Sequence, residues 1–134
     1  MSDPVSASTT TAPTSHIGAV AERTGLSLRT LRHYDEVGLV PPSARSEGGF
    51  RLYTDADVER LLLVRRMKPL GFSLEEMADL LDVTDRLLPT DRGDVDVDLR
   101  ARLDAYVVAA QERRAELARK LDWADELITL LRSR

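Results

Sequence analysis

The sequence predicts a mainly α-helical chain: a winged helix-turn-helix module, an acidic linker and one long C-terminal helix. Three observations carry this. Aromatic residues are only 4% of a chain that is 43% hydrophobic, so Leu, Val and Ala must fill the core, which suits packed helices better than packed sheets. Two short helical patterns flank Gly25 and are followed by Pro41-Pro42 and Gly48-Gly49. From Leu99 onward there is neither Gly nor Pro, and apolar residues return every seven positions. A length of 134 residues accommodates one compact domain plus an extension.

Taken in order, residues 1–14 read as a disordered polar tail, without the basic start and apolar centre of a signal peptide. In IGAVAERTGLSLRTLRHYDEVGLV, Ile17, Val20 and Ala21 share a face. Gly25 breaks this helix through a left-handed turn, and Ser27 is a good N-cap for a second one. Leu28, Leu31 and Val37 face inward, and Gly38 ends the second helix. Two short helices about a glycine turn describe a helix-turn-helix. The outer face of the second helix then carries Arg29, Thr30, Arg32, His33 and Tyr34. Guanidinium groups bond base edges or phosphates, and Thr and Tyr hydroxyls bond phosphate oxygens. A merely solvated face is the alternative, although Glu and Lys would suit it better.

Prolines 41 and 42 cannot continue a helix. SARSEGGFRLYT reads as a hairpin turning at Gly48-Gly49, with Phe50 and Leu52 alternating with Arg51 and Tyr53. A hairpin at this place is a wing. Its basic face, Arg45 and Arg51, would lie beside the second helix and hold the flanking backbone of a duplex while that helix enters the major groove. A hairpin with surface arginines and no such role fits the same residues.

Two more helices follow. Thr54 caps the first, with Asp55 and Asp57 suiting its positive end, and Val58, Leu61, Leu62 and Met67 as its buried side. Arg65, Arg66 and Lys68 cluster where it ends. Ser73 with Glu76 is a capping box for the next helix, whose apolar face is Leu74, Met77, Leu80 and Leu81. Residues 83–98 form an acidic linker. Asp94, Asp96 and Asp98 alternate like part of a calcium loop, but the loop glycine and distal glutamate are missing, so no metal site is expected. In the helix over 99–134, Leu103, Ala110, Leu117, Ala124 and Leu131 form one stripe. A second begins as Leu99 and Tyr106 and ends, one position over, as Leu121 and Ile128. Such a helix cannot bury its stripe alone. A second copy of the chain is the simplest partner, and packing back on its own domain is the alternative.

Bulk properties exclude several classes. Without cysteine there can be no disulfide and no thiolate metal site. No apolar run has membrane-spanning length, so a cytoplasmic protein is expected. No nucleophile–base pair or phosphate loop points to an enzyme, and no cofactor is expected. The net charge of −4 disguises a split. Ser15 to Leu70 has nine basic against seven acidic residues, and Gly71 to Arg134 has ten against fifteen. A nucleic-acid module joined to a partner module would give this split, and so would chance.

The stretch from Ile17 to Asp82 resembles the MerR family of bacterial transcription regulators in one unbroken register. The helix-turn-helix, the GLV-P exit, the R…GGFRLYT wing and the LGFSLEEM turn all fall in order. The resemblance implies an antiparallel pairing of the long helices in a homodimer. That dimer would bind a near-palindromic site in promoter DNA, bend and untwist it, and so realign the elements read by RNA polymerase. Smooth bending of such a site costs on the order of 1–6 kcal/mol, which further contacts must offset. Carried over by position, Ser27, Arg29, Thr30, Arg32, His33 and Tyr34 belong to the recognition helix, Arg45, Arg51 and Tyr53 to the wing, and Lys68 to a phosphate contact. His33 stands where the family commonly has another aromatic residue; an imidazole can still bond phosphate. The dimer contact would be made by Leu99, Leu103, Tyr106, Ala110, Leu117, Leu121, Ala124, Ile128 and Leu131. The chain lacks the cysteines of metal- and redox-sensing members and ends with the pairing helix. A small-molecule effector at the dimer interface, or no direct effector, is therefore expected. An effector-free repressor or architectural protein is the alternative, and a protein-interaction adaptor using the long helix is a rival of another class.

Overall fold

The computed structural model describes residues 13–87 and 96–134. The chain divides into two compact units, one ending at Met77 and one running from Ala78 to Arg134. The first contains β1 (Thr14–His16), α1 (Ile17–Thr24), α2 (Leu28–Glu36), β2 (Ala44–Arg45), β3 (Arg51–Thr54), α3 (Asp55–Met67), a 3-10 turn (Lys68–Leu70) and the first turn of α4 (Leu74–Arg86). The second contains the rest of α4 and α5 (Val97–Arg132).

α1 and α2 form the helix-turn-helix. Gly25 takes φ 75° and its N–H reaches the Ala21 carbonyl at 2.9 Å, a left-handed end that L side chains avoid. Buried Thr24 fixes the corner: its hydroxyl donates to the Val20 carbonyl at 2.8 Å and accepts from the Leu26 N–H at 3.2 Å. The sheet has the order β1-β3-β2 and is antiparallel throughout. Of these, β2 and β3 are the wing, joined through Ala44↔Leu52 and Arg45↔Arg51. Gly49, at φ 83°, donates to the Ser46 carbonyl at 2.8 Å and closes its turn.

β1 is a departure from expectation. Thr14, Ser15 and His16 carry no apolar alternation, yet they pair with Thr54, Tyr53 and Leu52, because the wing leaves the other edge of β3 open. Thr14 therefore belongs to the sheet and not to the expected tail, whose residues 1–12 lie outside the described residues.

The core of the first unit is built on Val20, Leu31, Val40, Val58, Leu61 and Val64. Leu28 and Val37, expected inward, are exposed. They sit at the first residue of α2 and just past its end, where the chain has left the packed stripe; Leu31 and Tyr34, three apart, carry it instead. Leu74, in the first turn of α4, is exposed for the same reason, whereas Met77, Leu80 and Leu81 are buried. Both expected caps form. Thr54 and Asp57 close a capping box on α3. At α4 the Ser73 N–H donates to Glu76 at 2.8 Å, and the Glu76 N–H donates to the Ser73 hydroxyl at 3.1 Å.

In the second unit α4 continues to Arg86, so the expected linker begins later than residue 83. Val83 is fully buried, and an apolar residue in helical register extends the helix. α5 starts at Val97, capped by Asp96, whose carboxylate accepts the Leu99 N–H at 3.1 Å. Asp96 and Asp98 thus serve a helix start, while Asp94 lies outside the described residues. Asp79 of α4 binds two side chains of α5: the Tyr106 hydroxyl donates to it at 2.7 Å, and Arg102 forms an ion pair with it.

Candidate nucleic-acid interface

α2 presents the first part of the site. Ser27 accepts the Thr30 N–H at 3.0 Å and its own hydroxyl donates to the Thr30 oxygen at 2.9 Å. Ser27 is therefore occupied as the helix cap, and the Thr30 hydroxyl proton is left to point elsewhere. Beyond the cap, Arg29, Arg32 and His33 are exposed and Thr30 is half-buried. Together with Glu36 they line one shallow groove. The helix period brings them there: with Leu31 and Tyr34 turned into the core, the residues between them must face out.

Tyr34 corrects the sequence reading. It is buried, and burial raises its phenol above the usual tyrosine range. Three residues after Leu31, its ring completes the inner stripe of α2, so it cannot belong to the outer face. Tyr53 is a second correction. It is only 1% exposed, burial likewise pushes its phenol up, and its hydroxyl has no hydrogen-bond partner among the described residues. Its side chain packs in the core and is not part of the exposed basic face of the wing. Phe50, just before β3, is exposed.

The wing is fastened to α2 by charge. Asp35 Oδ2 accepts Arg51 Nε at 2.6 Å and Arg45 Nη2 at 3.0 Å. Burial alone would raise the Asp35 carboxyl; the hydrogen bonds and charges of Arg51 and Arg45 outweigh it and hold the group below the usual carboxylate range. Arg51 is raised in turn, chiefly by its bond to Asp35. The basic face of the wing does lie beside the second helix, but its two arginines differ: the Arg51 side chain is 24% exposed and that of Arg45 49%. Asp35 was not singled out by sequence. Its partners are 10 and 16 residues away across a turn, and only the hairpin register joins them.

Asp57, noticed only as a helix-start acid, anchors the other end of the wing. This buried carboxylate accepts the Ser43 N–H at 2.9 Å, the Ser43 hydroxyl at 2.8 Å, the Thr54 N–H at 3.0 Å and Arg60 at 3.1 Å. Lys68 is exposed in the 3-10 turn after α3, close in sequence to exposed Arg65 and Arg66. The result is a helix face carrying Arg29, Arg32 and His33 with Glu36 among them, beside a hairpin carrying Arg45 and Arg51, and these cations suit a polyanion.

The expected pairing stripe splits in two. Leu99 is buried within the chain, and Leu103, Tyr106 and Ala110 are half-buried on the face that Asp79 draws to α4. Leu99 is thus packed within its own chain. Leu117, Leu121, Ala124, Ile128 and Leu131 are exposed, as are Trp123, Leu127 and Leu130. Among the described residues no helix is long and apolar enough to cross a membrane, and no His/Asp/Glu group could hold a metal ion.

Comparison with known proteins follows the same outline. The family model of MerR HTH regulatory proteins matches residues 16–84, and the MerR DNA-binding model matches residues 58–133. The heavy metal-dependent transcription regulator 2 of Rhizobium meliloti is 35% identical over 87% of this chain and 71% of its own length. The transcriptional activator mta of Bacillus subtilis is 51% identical over 47% of this chain. The chain spans 24% of that activator and 26% of the Streptomyces activator TipA. Among solved structures, HiNmlR, a MerR family regulator lacking the sensor domain and bound to promoter DNA, superposes with a TM-score of 0.68 at 30% identity, covering 90% of this chain and 92% of its own. The N-terminal part of the Bacillus subtilis multidrug transporter activator, MtaN, gives 0.54 at 34% identity, covering 87% and 93%.

Proposed function

Because this chain belongs to the MerR family of helix-turn-helix transcription regulators, whose members are not enzymes, we propose that it acts in the cytoplasm as a homodimer on a near-palindromic promoter site and distorts the duplex for RNA polymerase. In this reading the helix-turn-helix and wing, from Ser15 on, bind DNA, and α5 pairs with a second copy, the connection between α4 and α5 falling after Arg86 and before Val97. The observation that carries it is the outward set Arg29, Thr30, Arg32 and His33 on α2, beside a wing that α2 itself holds. The likeness to a family member bound to promoter DNA supports the DNA-binding part of this reading.

The roles follow from position. Arg29 and Thr30 lie in the first turn of α2, the end of a recognition helix that reaches base edges. Arg32, His33, Arg45 and Lys68 meet phosphates, which fix register without reading sequence. Two half-sites are engaged only if two copies pair, and the open stripe from Leu117 to Leu131 provides the surface for that. With no cysteine in the chain, a thiolate-bound metal is not the signal. A small molecule held between paired helices, or no effector, remains the reading for regulation.

The test is base preference. Arg29→Ala should relax selection at one position per half-site, by roughly 1–3 kcal/mol. An unchanged motif in a selection from random duplexes would make Arg29 a phosphate contact and refute its assigned role.

A further inference from the structure

We propose that Asp35 is a positioning residue for the wing, and that a backbone phosphate replaces it as the counter-ion of Arg45 when duplex DNA binds, while Arg51 keeps it. The inference rests on the DNA-binding reading above and deepens it: it names which wing cation changes partner.

The wing cannot close comfortably on its own. Arg45 and Arg51 are direct partners across β2 and β3, and like charges opposite one another weaken a strand pair. That ladder has only two pairs, although β1 holds the far edge of β3 and Asp57 holds the root of the wing. A negative charge at the Arg45–Arg51 pair offsets their repulsion, and it comes from α2.

The compensation is incomplete. Both guanidinium groups converge on the same oxygen, Oδ2, so two positive charges share one negative charge and the trio keeps an excess of one. The two arginines hold it unequally. Arg51 donates through Nε at 2.6 Å and is 24% exposed; Arg45 donates through a terminal nitrogen at 3.0 Å and is 49% exposed. A further contact of Arg45, to the Gly49 carbonyl, is 3.4 Å long, at the edge of hydrogen bonding. Arg45 is thus the loosely held, solvent-facing member. A phosphate arriving beside α2 can take Arg45 without reaching Asp35, which is 12% exposed and repels it. Arg51 then holds Asp35 alone, the like-charge opposition is relieved, and the wing stays fixed to the helix that reads the bases.

Salt dependence separates this from two equivalent phosphate contacts, because each phosphate neutralised adds about 0.9 to the slope of log affinity against log salt. The 134-residue chain and its single variants are titrated with salt on a selected duplex and on a random one. Arg45→Ala should flatten the slope by about one, and Arg51→Ala by less than half as much. Asp35→Asn frees both guanidinium groups, so its slope should steepen by about one while the ratio of specific to random affinity falls, and Asp35→Glu should restore that ratio in part. In the free protein, amide exchange over residues 45–52 should speed up in Asp35→Asn and slow again once duplex is added. Equal flattening by Arg45→Ala and Arg51→Ala would overturn the exchange even if Asp35→Asn fails to fold. An unchanged slope in folded Asp35→Asn would do the same. Wild-type protein that binds no duplex would bring down the DNA-binding reading and the exchange together, whereas salt-sensitive binding with equal losses sinks the exchange alone.

Discussion

Replacing Asp57 by Ala should unfold much of the first unit at moderate temperature. The carboxylate is 1% exposed and takes four bonds: two from Ser43, one from the Thr54 backbone and one from Arg60. Arg60 is partly exposed and can return to water, so its loss counts little. Ser43 is exposed and can likewise turn to water, whereas the Thr54 N–H is half-buried at the start of α3, and a donor stranded there costs about 1–3 kcal/mol. That Thr54 bond is also the half of the α3 capping box that Asp57 supplies. With the exposed Ser43 bonds contributing less, the loss is about 2–4 kcal/mol, against total stabilities of about 5–15 kcal/mol for native domains. For a domain of this size that lowers Tm by roughly 10–30 °C. Asp57→Asn keeps one acceptor oxygen but points an amide N–H2 at a donor, so it should lose about 2–3 kcal/mol. Urea denaturation followed by circular dichroism measures both, with unchanged m-values if the unfolded state is unaffected. Ser43→Ala combined with Asp57→Ala should lose less than the sum of the single changes, since they share bonds. If Asp57→Ala stays within about 1 kcal/mol of wild type, the carboxylate does not hold the wing root and the account of this end of the wing is wrong.

Other expectations follow from single side chains. Tyr53→Phe removes a buried hydroxyl without a partner, so it should leave duplex affinity unchanged and be neutral or stabilising by about 1 kcal/mol; a loss of affinity would return Tyr53 to the interface. Leu117→Glu places a charge in the open stripe of α5 and should yield a monomer with much weaker operator binding. A wild-type protein that sediments as a monomer at micromolar concentration would refute the pairing. Asp79 is held below the usual carboxylate range, first by the Tyr106 hydroxyl and then by Arg102. A depressed carboxyl adds stability above its unfolded pKa and loses it as pH falls through the folded value. The stability gap between wild type and Asp79→Asn should therefore hold from neutral pH down to the ordinary carboxylate range and close below it. An equal gap at neutral and strongly acid pH would mean that the aspartate acts by shape alone.

Local signals account for most of what could be read in advance. Caps at Ser27, Thr54 and Ser73, the left-handed glycine at 25 and the hairpin glycine at 49 all depend on neighbours within a few residues, and all stand where the sequence placed them. The outward set Arg29, Arg32 and His33 was legible too, because helical period follows from composition along one short stretch. Two tyrosines were misplaced for opposite reasons. Tyr34 could be read on either face, since its ring suits a core and its hydroxyl suits a phosphate. Tyr53 shares the alternation of half-buried Arg51 by sequence, yet its side chain is packed into the core, which strand alternation alone does not reveal.

The sequence by itself determined the order of the helices, their ends, the wing and the basic face of α2, because each of these is set by chemistry a few residues long. Only the tertiary structure decided which cations are free. Arg51 and Arg45 are alike as letters, but the hairpin register brings them opposite one another and the end of α2 gives them one carboxylate to share. It likewise turned Asp57 from a helix-start acid into the anchor of Ser43, and gave the first turns of α5 to Asp79, leaving the later turns open. Ion pairs and burial depend on distances between segments far apart in the chain, and those distances exist only once the chain has folded.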